Sequence, residues 1–286
     1  RACPSDVHIH RIKGDQREAV DELENIILHV GNMQSLTTLD IQFDTVVHGS
    51  RLSSLAGLKE LRHLRLVGFD LSEGISYIGN SSSLETLHLC HGNFYSSPND
   101  DVNEKDLTDL ISLTNVQRVH LEGFDCLTGA GLAPFSATGS IQQLVLKHCQ
   151  ESSEECLTSI GHMANLNALH FVLSSCDDTD GFDKESLQHL NTLSALKSLS
   201  LFYVLGDFSD LRALPGLTAL ETLNIAFYET INDDEVENLY TTVLQTFPSL
   251  QKLRIFFEDG MEYTSQYGGL DVEYSTFNFG DLVYLD

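Results

Sequence analysis

Apolar residues return along this chain in one repeating phrase. A Lxx(L/V)x(L/I/F) pattern recurs at Leu36-Leu39-Ile41, Leu61-Leu64-Leu66, Leu84-Leu87-Leu89, Val116-Val119-Leu121, Ile141-Leu144-Leu146, Leu166-Leu169-Phe171, Leu196-Leu199-Leu201, Leu220-Leu223-Ile225 and Leu250-Leu253-Ile255. Successive copies begin 25, 23, 32, 25, 25, 30, 24 and 30 residues apart. The last two apolar positions of each copy are two apart, so they share one face of a short strand and the residue between them points to the other. A chain that returns to the same side at each copy lays its strands parallel, joined by crossovers that supply an outer layer.

The long crossovers carry helix signals. Asp101-Val102-Asn103 precedes Glu104 to Leu113, Asp180 precedes Lys184 to Leu193, and Asn232 precedes Asp233 to Leu244. Asp or Asn ahead of an acidic first turn caps the free N–H groups and suits the helix dipole. The shorter crossovers, Leu71 to Ser83 and Phe208 to Leu217, have room for a turn or an irregular segment. Terminal repeats expose a hydrophobic face that needs a cover. Arg17 to Val30, with Ala19, Val20, Leu23, Ile26 and Ile27, reads as an amphipathic helix suited to that task. The expected organisation is an N-terminal cap over residues 1–32, a repeat array over 33–257, and a C-terminal cap or tail over 258–286.

The spacing and the strand phrase resemble the leucine-rich-repeat family over roughly residues 33 to 257, and the long copies are similar to the helical repeats of ribonuclease-inhibitor-type and NOD-like-receptor arrays. The resemblance implies an α/β solenoid, a horseshoe with a parallel sheet on its concave side and mixed helical and irregular segments on its convex side. One departure matters. Where the family commonly has Asn or Cys, three residues after the last strand leucine, this chain has Asp44, Phe69, Gly92, Phe124, Cys149, Ser174, Val204, Tyr228 and Glu258. Without an asparagine ladder, regularity must come from the core, and the Val67-Gly68-Phe69-Asp70 and Glu122-Gly123-Phe124-Asp125 echoes suggest that aromatics fill part of it.

Composition changes the picture in three ways. The chain is 42% hydrophobic and 20% charged, as a folded protein is, and no run of roughly 18 apolar residues is present to span a membrane. Its net charge of −26 opposes phosphate backbones at long range, so nucleic acid is not the expected partner. Cys3, Cys90, Cys126, Cys149, Cys156 and Cys176 contain no CxxC pair and read as buried thiols. Neither end has the cysteine-clustered cap common on extracellular members of the family, which favours the cytoplasm, while the sequon at Asn80 leaves a secreted or surface-exposed protein open. The chain opens on Arg1 and not Met, as a processed product or a piece of a longer protein would.

No GxSxG, HExxH, Walker loop or GxGxxG is present, so an enzyme is not expected and no cofactor is called for. The informative residues lie between the leucines, at the second, third, fifth and seventh positions of each copy, where they line the concave face. These positions hold seven basic and four acidic residues although the whole chain is strongly acidic. The bland explanation is that long Lys and Arg stems suit a crowded sheet while acids cap the outer helices. The sharper one is a strip that meets a partner with acidic or hydrogen-bond-accepting groups. Its candidate binding residues are Arg62, His63, Arg65, His88, Arg118, His120, Lys147, His170 and Arg254, with Phe202, Tyr203 and Phe256 as aromatic anchors on the C-terminal flank.

His88 and His120 occupy the same position of consecutive copies, about 4.8 Å apart in a parallel sheet. Two such imidazoles invite a metal or a pH switch, but with no carboxylate or thiol obviously placed to complete a cage they are read as ordinary histidines and no metal is expected. The functional expectation is a non-catalytic module that binds a protein. Three contexts fit: the sensor or autoinhibitory part of an immune-receptor-like protein, the substrate-recognition half of a ubiquitin-ligase adaptor, and a free-standing inhibitor. The alternative is a structural scaffold that self-associates. Oligomeric state is not legible.

Overall fold

The computed structural model describes residues 5–10, 25–71, 74–91, 107–124, 127–149, 154–172, 184–202, 208–226, 233–257, 263–267 and 270–276. It has the α/β leucine-rich-repeat solenoid fold, in two compact units, Arg1–Met163 and Ala164–Asp286. In the first unit β1 (Asp6–His10), β2 (Thr38–His48), β3 (His63–Asp70), β4 (Thr86–His91), β5 (Arg118–Glu122) and β6 (Gln143–Lys147) pair parallel in chain order. In the second, β7 (Ala168–Val172), β8 (Ser198–Phe202), β9 (Thr222–Ala226) and β10 (Lys252–Phe257) do the same. There β12 (Leu270–Thr276) pairs parallel with β10, and β11 (Tyr263–Tyr267) pairs antiparallel with β12. The ladder therefore extends one parallel strand beyond the recognised copies at each end of the chain, into the segments expected only to cap it.

The leucine phase accounts for the core. Every apolar position of the nine copies is at most 2% exposed, except Leu250, which is half-buried. Burying each such side chain contributes roughly 1.5–3 kcal/mol, so the repeated phrase is the main source of stability. Phe69 and Phe124 are buried as the two echoes suggest, and Gly68 and Gly123 before them have φ of 85° and 76°. Only glycine takes that conformation without strain. At Gly68 a Cβ would also stand 2.4 Å from the Phe43 carbonyl oxygen.

Two recurring hydrogen bonds do the work of the missing asparagine ladder. In seven of the nine copies the carbonyl at the second position accepts two N–H groups from the next: Arg62 and His63 donate to Thr37, Glu85 and Thr86 to Arg62, Gln117 and Arg118 to Glu85, and Glu221 and Thr222 to Lys197, for example. On the crossover side, serine hydroxyls reach one repeat back. Ser83 donates to the Lys59 carbonyl, Ser112 to Gly79 and Ser140 to Val116, each at 2.7 Å, and Ser249 does so to Thr218 in the second unit. A short hydroxyl on a turn satisfies a carbonyl that the solenoid would otherwise bury.

The crossovers are mixed. Asp233–Thr246 is a full helix, whereas Lys184–Leu187 is one helical turn continued as a 3-10 segment over Gln188–Thr192. Of the expected helix at Glu104 to Leu113, the part from Leu107 is described and Thr108–Ser112 is a 3-10 segment. Gly129–Thr138 and Glu154–Gly161 are helices, the former capped by the Thr128 hydroxyl, which accepts from the Ala130 N–H at 3.2 Å. The short crossovers hold a turn of helix at Ile75–Ile78 and a 3-10 segment at Phe208–Ala213. Of the expected N-terminal helix, residues 25–31 are helical with Ile27 and Val30 buried and Leu28 58% exposed, and residues 17–24 lie outside the described residues. Cys149 and Cys156 are buried thiols outside any disulfide and Cys90 is half-buried, while Cys3, Cys126 and Cys176 lie outside the described residues.

Candidate functional site

Strand register turns the residues between the leucines into three lanes that cross the strands. In the first unit one lane runs Thr38, His63, Thr86, Arg118, Gln143; the next runs Asp40, Arg65, His88, His120, Val145; the third runs Gln42, Val67, Cys90, Glu122, Lys147. His63 and Arg118 are exposed, and all the others except Lys147 are half-buried. The alternation expected from the sequence holds here: core leucine on one face, polar lane residue on the other.

The charges on this face are partly paired. Each of the four acids on this face has a basic partner one copy away. Arg65 meets Asp40 at 3.0 Å, Arg62 meets Glu85 at 2.7 Å, Lys147 meets Glu122 at 2.9 Å, and in the second unit Lys197 meets Glu221 at 3.2 Å. Opposite charges one copy apart stabilise adjacent strands, so four of the seven cations are paired within the sheet, and Arg118, Lys252 and Arg254 make up the remaining excess. Arg118 is exposed and has no ion pair among the described residues.

At the centre of the first unit, the His88 and His120 rings stack with centroids 3.9 Å apart and planes 16° apart. Glu122, two residues beyond His120 on the same face, places a carboxylate oxygen 3.6 Å from His120 Nε2, while its other oxygen accepts from Lys147 Nζ. One ligand atom from each of His88, His120 and Glu122 lies within 4.8 Å of the others. The sequence reading lacked a carboxylate for this pair, and register supplies it. Burial first, then the positive field of His120 and Arg65, pushes the His88 pKa down to about 2. Burial alone would raise Glu122, but attraction from His120 and the charge and hydrogen bond of Lys147 win, bringing it down to about 2. Cys90, register partner of Glu122, is pushed up to about 12 by burial and by that carboxylate, so its thiol stays protonated and is a poor nucleophile.

The corresponding face of the second unit differs. Its lanes read Ala168, Ser198, Thr222, Lys252; His170, Ser200, Asn224, Arg254; and Val172, Phe202, Ala226, Phe256. His170 is 8% exposed, Asn224 1%, and Ser200 and Phe202 0%. His170 and Phe202 point to the expected face but are covered, so neither offers a surface to a partner. The Phe202 and Phe256 rings meet edge-on at 5.1 Å across Ala226, whose methyl leaves room for both. Arg254 and Phe256 are half-buried, and Tyr203 lies outside the described residues. His170 Nδ1 and the Ser200 hydroxyl are 2.7 Å apart, and Asn224 donates to that hydroxyl at 2.9 Å. A serine beside a histidine can be a nucleophile beside its base, but a hydroxyl with no exposure meets no substrate, and the trio serves as a polar seam between strands.

No family model matches the chain, and no curated protein does. Among solved structures it is similar to a chain of the TLR13–ssRNA13 complex, at 18% identity and a TM-score of 0.45, over 78% of this chain and 36% of that one. It is also similar to a chain of the Rad7 and Elc1 complex from yeast, at 15% identity and a TM-score of 0.46, over 87% of this chain and 70% of that one. The chain thus spans about a third of the former.

Proposed function

We propose that this chain is a non-catalytic recognition module that holds a protein partner against the polar lanes of β2 to β6. The observation that supports it is the accessible row His63, Thr86, Arg118 and Gln143, set on a strand ladder whose opposite face is leucine core. A rigid row of mixed donors and acceptors recognises by pattern and area, with a few anchors contributing most of the affinity. Arg118 is the ionic anchor of this row, and the surrounding ion pairs Arg62–Glu85 and Arg65–Asp40 present both signs to the partner. The partner surface that fits is rich in hydrogen-bond acceptors with an acidic group opposite Arg118.

The protein-partner reading is favoured over RNA by the net charge of −26 and by the pairing of the lane cations. TLR13 is seen in complex with an RNA, and RNA capture is one outcome of the test below. The role of substrate-recognition subunit or receptor-like sensor is a finer version of the same reading.

The test is affinity capture from cell extract, with and without nuclease, using wild-type chain, Arg118→Glu combined with Thr86→Arg, and Lys59→Glu on the crossover side. The reading expects a protein retained by wild type and Lys59→Glu and released by the double variant. Retention by all three would reject this face, nuclease-sensitive capture would reject the protein class, and concentration-dependent oligomers without a bound protein would favour the scaffold.

A further inference from the structure

We propose that His88, His120 and Glu122 form a binding site for one divalent transition-metal ion of the zinc class. The site stands on geometry independent of the recognition reading. Parallel register brings the two imidazoles to adjacent strands at one level, and the period of two puts Glu122 on the same face. Their ligand atoms lie within 4.8 Å of one another. Two nitrogens and one carboxylate oxygen are a donor set that zinc, cobalt and nickel accept and that magnesium and calcium do not favour.

A second observation points the same way. The Nε2 atoms of His88 and His120 are both out of solvent and make no hydrogen bond, His120 Nε2 lying 3.6 Å from the nearer Glu122 oxygen. An unpaired buried nitrogen is destabilising unless something satisfies it, and one cation would satisfy both. Lys147 holds one oxygen of Glu122 and leaves the other turned toward His120, the orienting role that a residue behind a ligand performs in metal sites.

Two features oppose the ion, and both are answered locally. Arg65 and Lys147 add positive charge, but each is already paired, with Asp40 and Glu122 respectively. The rings lie nearly parallel, 16° apart, so ligation requires each to turn about its Cβ–Cγ bond until the nitrogens converge on one point.

The test titrates tag-free full chain with zinc chloride by calorimetry and with cobalt chloride by visible absorption. The expected result is one ion per chain with a Kd of about 10 µM or tighter, and at least tenfold weaker binding for His120→Gln and Glu122→Gln. His162→Gln, on the crossover side, should bind as wild type does. Imidazole 15N resonances of His88 and His120 should move on zinc addition while circular dichroism confirms that each variant is folded. No binding by wild type overturns the proposal. Binding that survives both ligand variants, or that moves other histidines, places the ion elsewhere and overturns it equally.

Discussion

Lys147→Met is the perturbation that most sharply tests how the polar face is held together. Lys147 and Glu122 are register partners with side chains only 10% and 21% exposed, and Nζ to Oε1 is 2.9 Å. Methionine keeps the stem and removes the charge, stranding the carboxylate. Lowering Glu122 from its usual 4.5 to about 2 corresponds to about 3 kcal/mol of favourable interaction, shared between Lys147 and His120. Exposed pairs are worth about 0–1 kcal/mol and fully buried ones cost about 3–5 kcal/mol to break, so this half-buried case should cost about 2 kcal/mol. The sign follows from the depressed value. Glu122 contributes fully above the unfolded carboxylate pKa near 4.5 and loses that contribution as pH falls toward 2. Urea unfolding should therefore show a lower midpoint for Lys147→Met at pH 7 and a shrinking difference from wild type between pH 4.5 and 2.5. Adding Glu122→Met should recover at least half of the loss, since no buried charge remains unpaired. A cost that is unchanged at pH 2.5, or a double variant no more stable than the single, would refute the reasoning.

Two glycines with the same backbone hand should respond differently. Gly139→Ala, at φ 64° with open space around its Cβ, should cost about 1 kcal/mol, whereas Gly68→Ala, at φ 85° and against the Phe43 carbonyl, should cost about 3 kcal/mol by denaturant titration. Ser112→Ala should lose about 1 kcal/mol by removing the bond to the Gly79 carbonyl one repeat back, while Ser136→Ala, whose hydroxyl bonds only within its own helix and is exposed, should be near neutral in thermal melts.

The parts of this fold written in local periodicity were legible, and the parts written in distant pairing were not. Leucine phase sufficed for nine strands, their direction and the face on which Arg65, His88 and His120 sit, because side-chain alternation is a local rule. β1 escaped notice because Val7 and Ile9 carry no leading leucine and are only half-buried. The helix at Gly129–Thr138 begins on glycine, lacks an acidic first turn and so sends no strong start signal. Glu122 was on the page as a lane residue, but its place beside His120 and Lys147 appears only when copies are laid in register. Nor could local sequence show that Phe202, Ser200 and Asn224 are buried, since the same lane positions, Lys147 apart, are half-buried in the first unit.

The central claim is that leucine phase puts the intervening residues of the first unit on one accessible face, while in the second unit His170, Ser200, Asn224, Phe202 and Ala226 at such positions are buried. Single cysteines at His63, Thr86 and Arg118, at their neighbours Leu64, Leu87 and Val119, and at Ser200 and Asn224 can be pulsed with a maleimide and scored by peptide mass spectrometry. The account predicts rapid labelling of the first three only. Equal labelling of His63 and Leu64, or labelling of Ser200 as fast as Arg118, would contradict it.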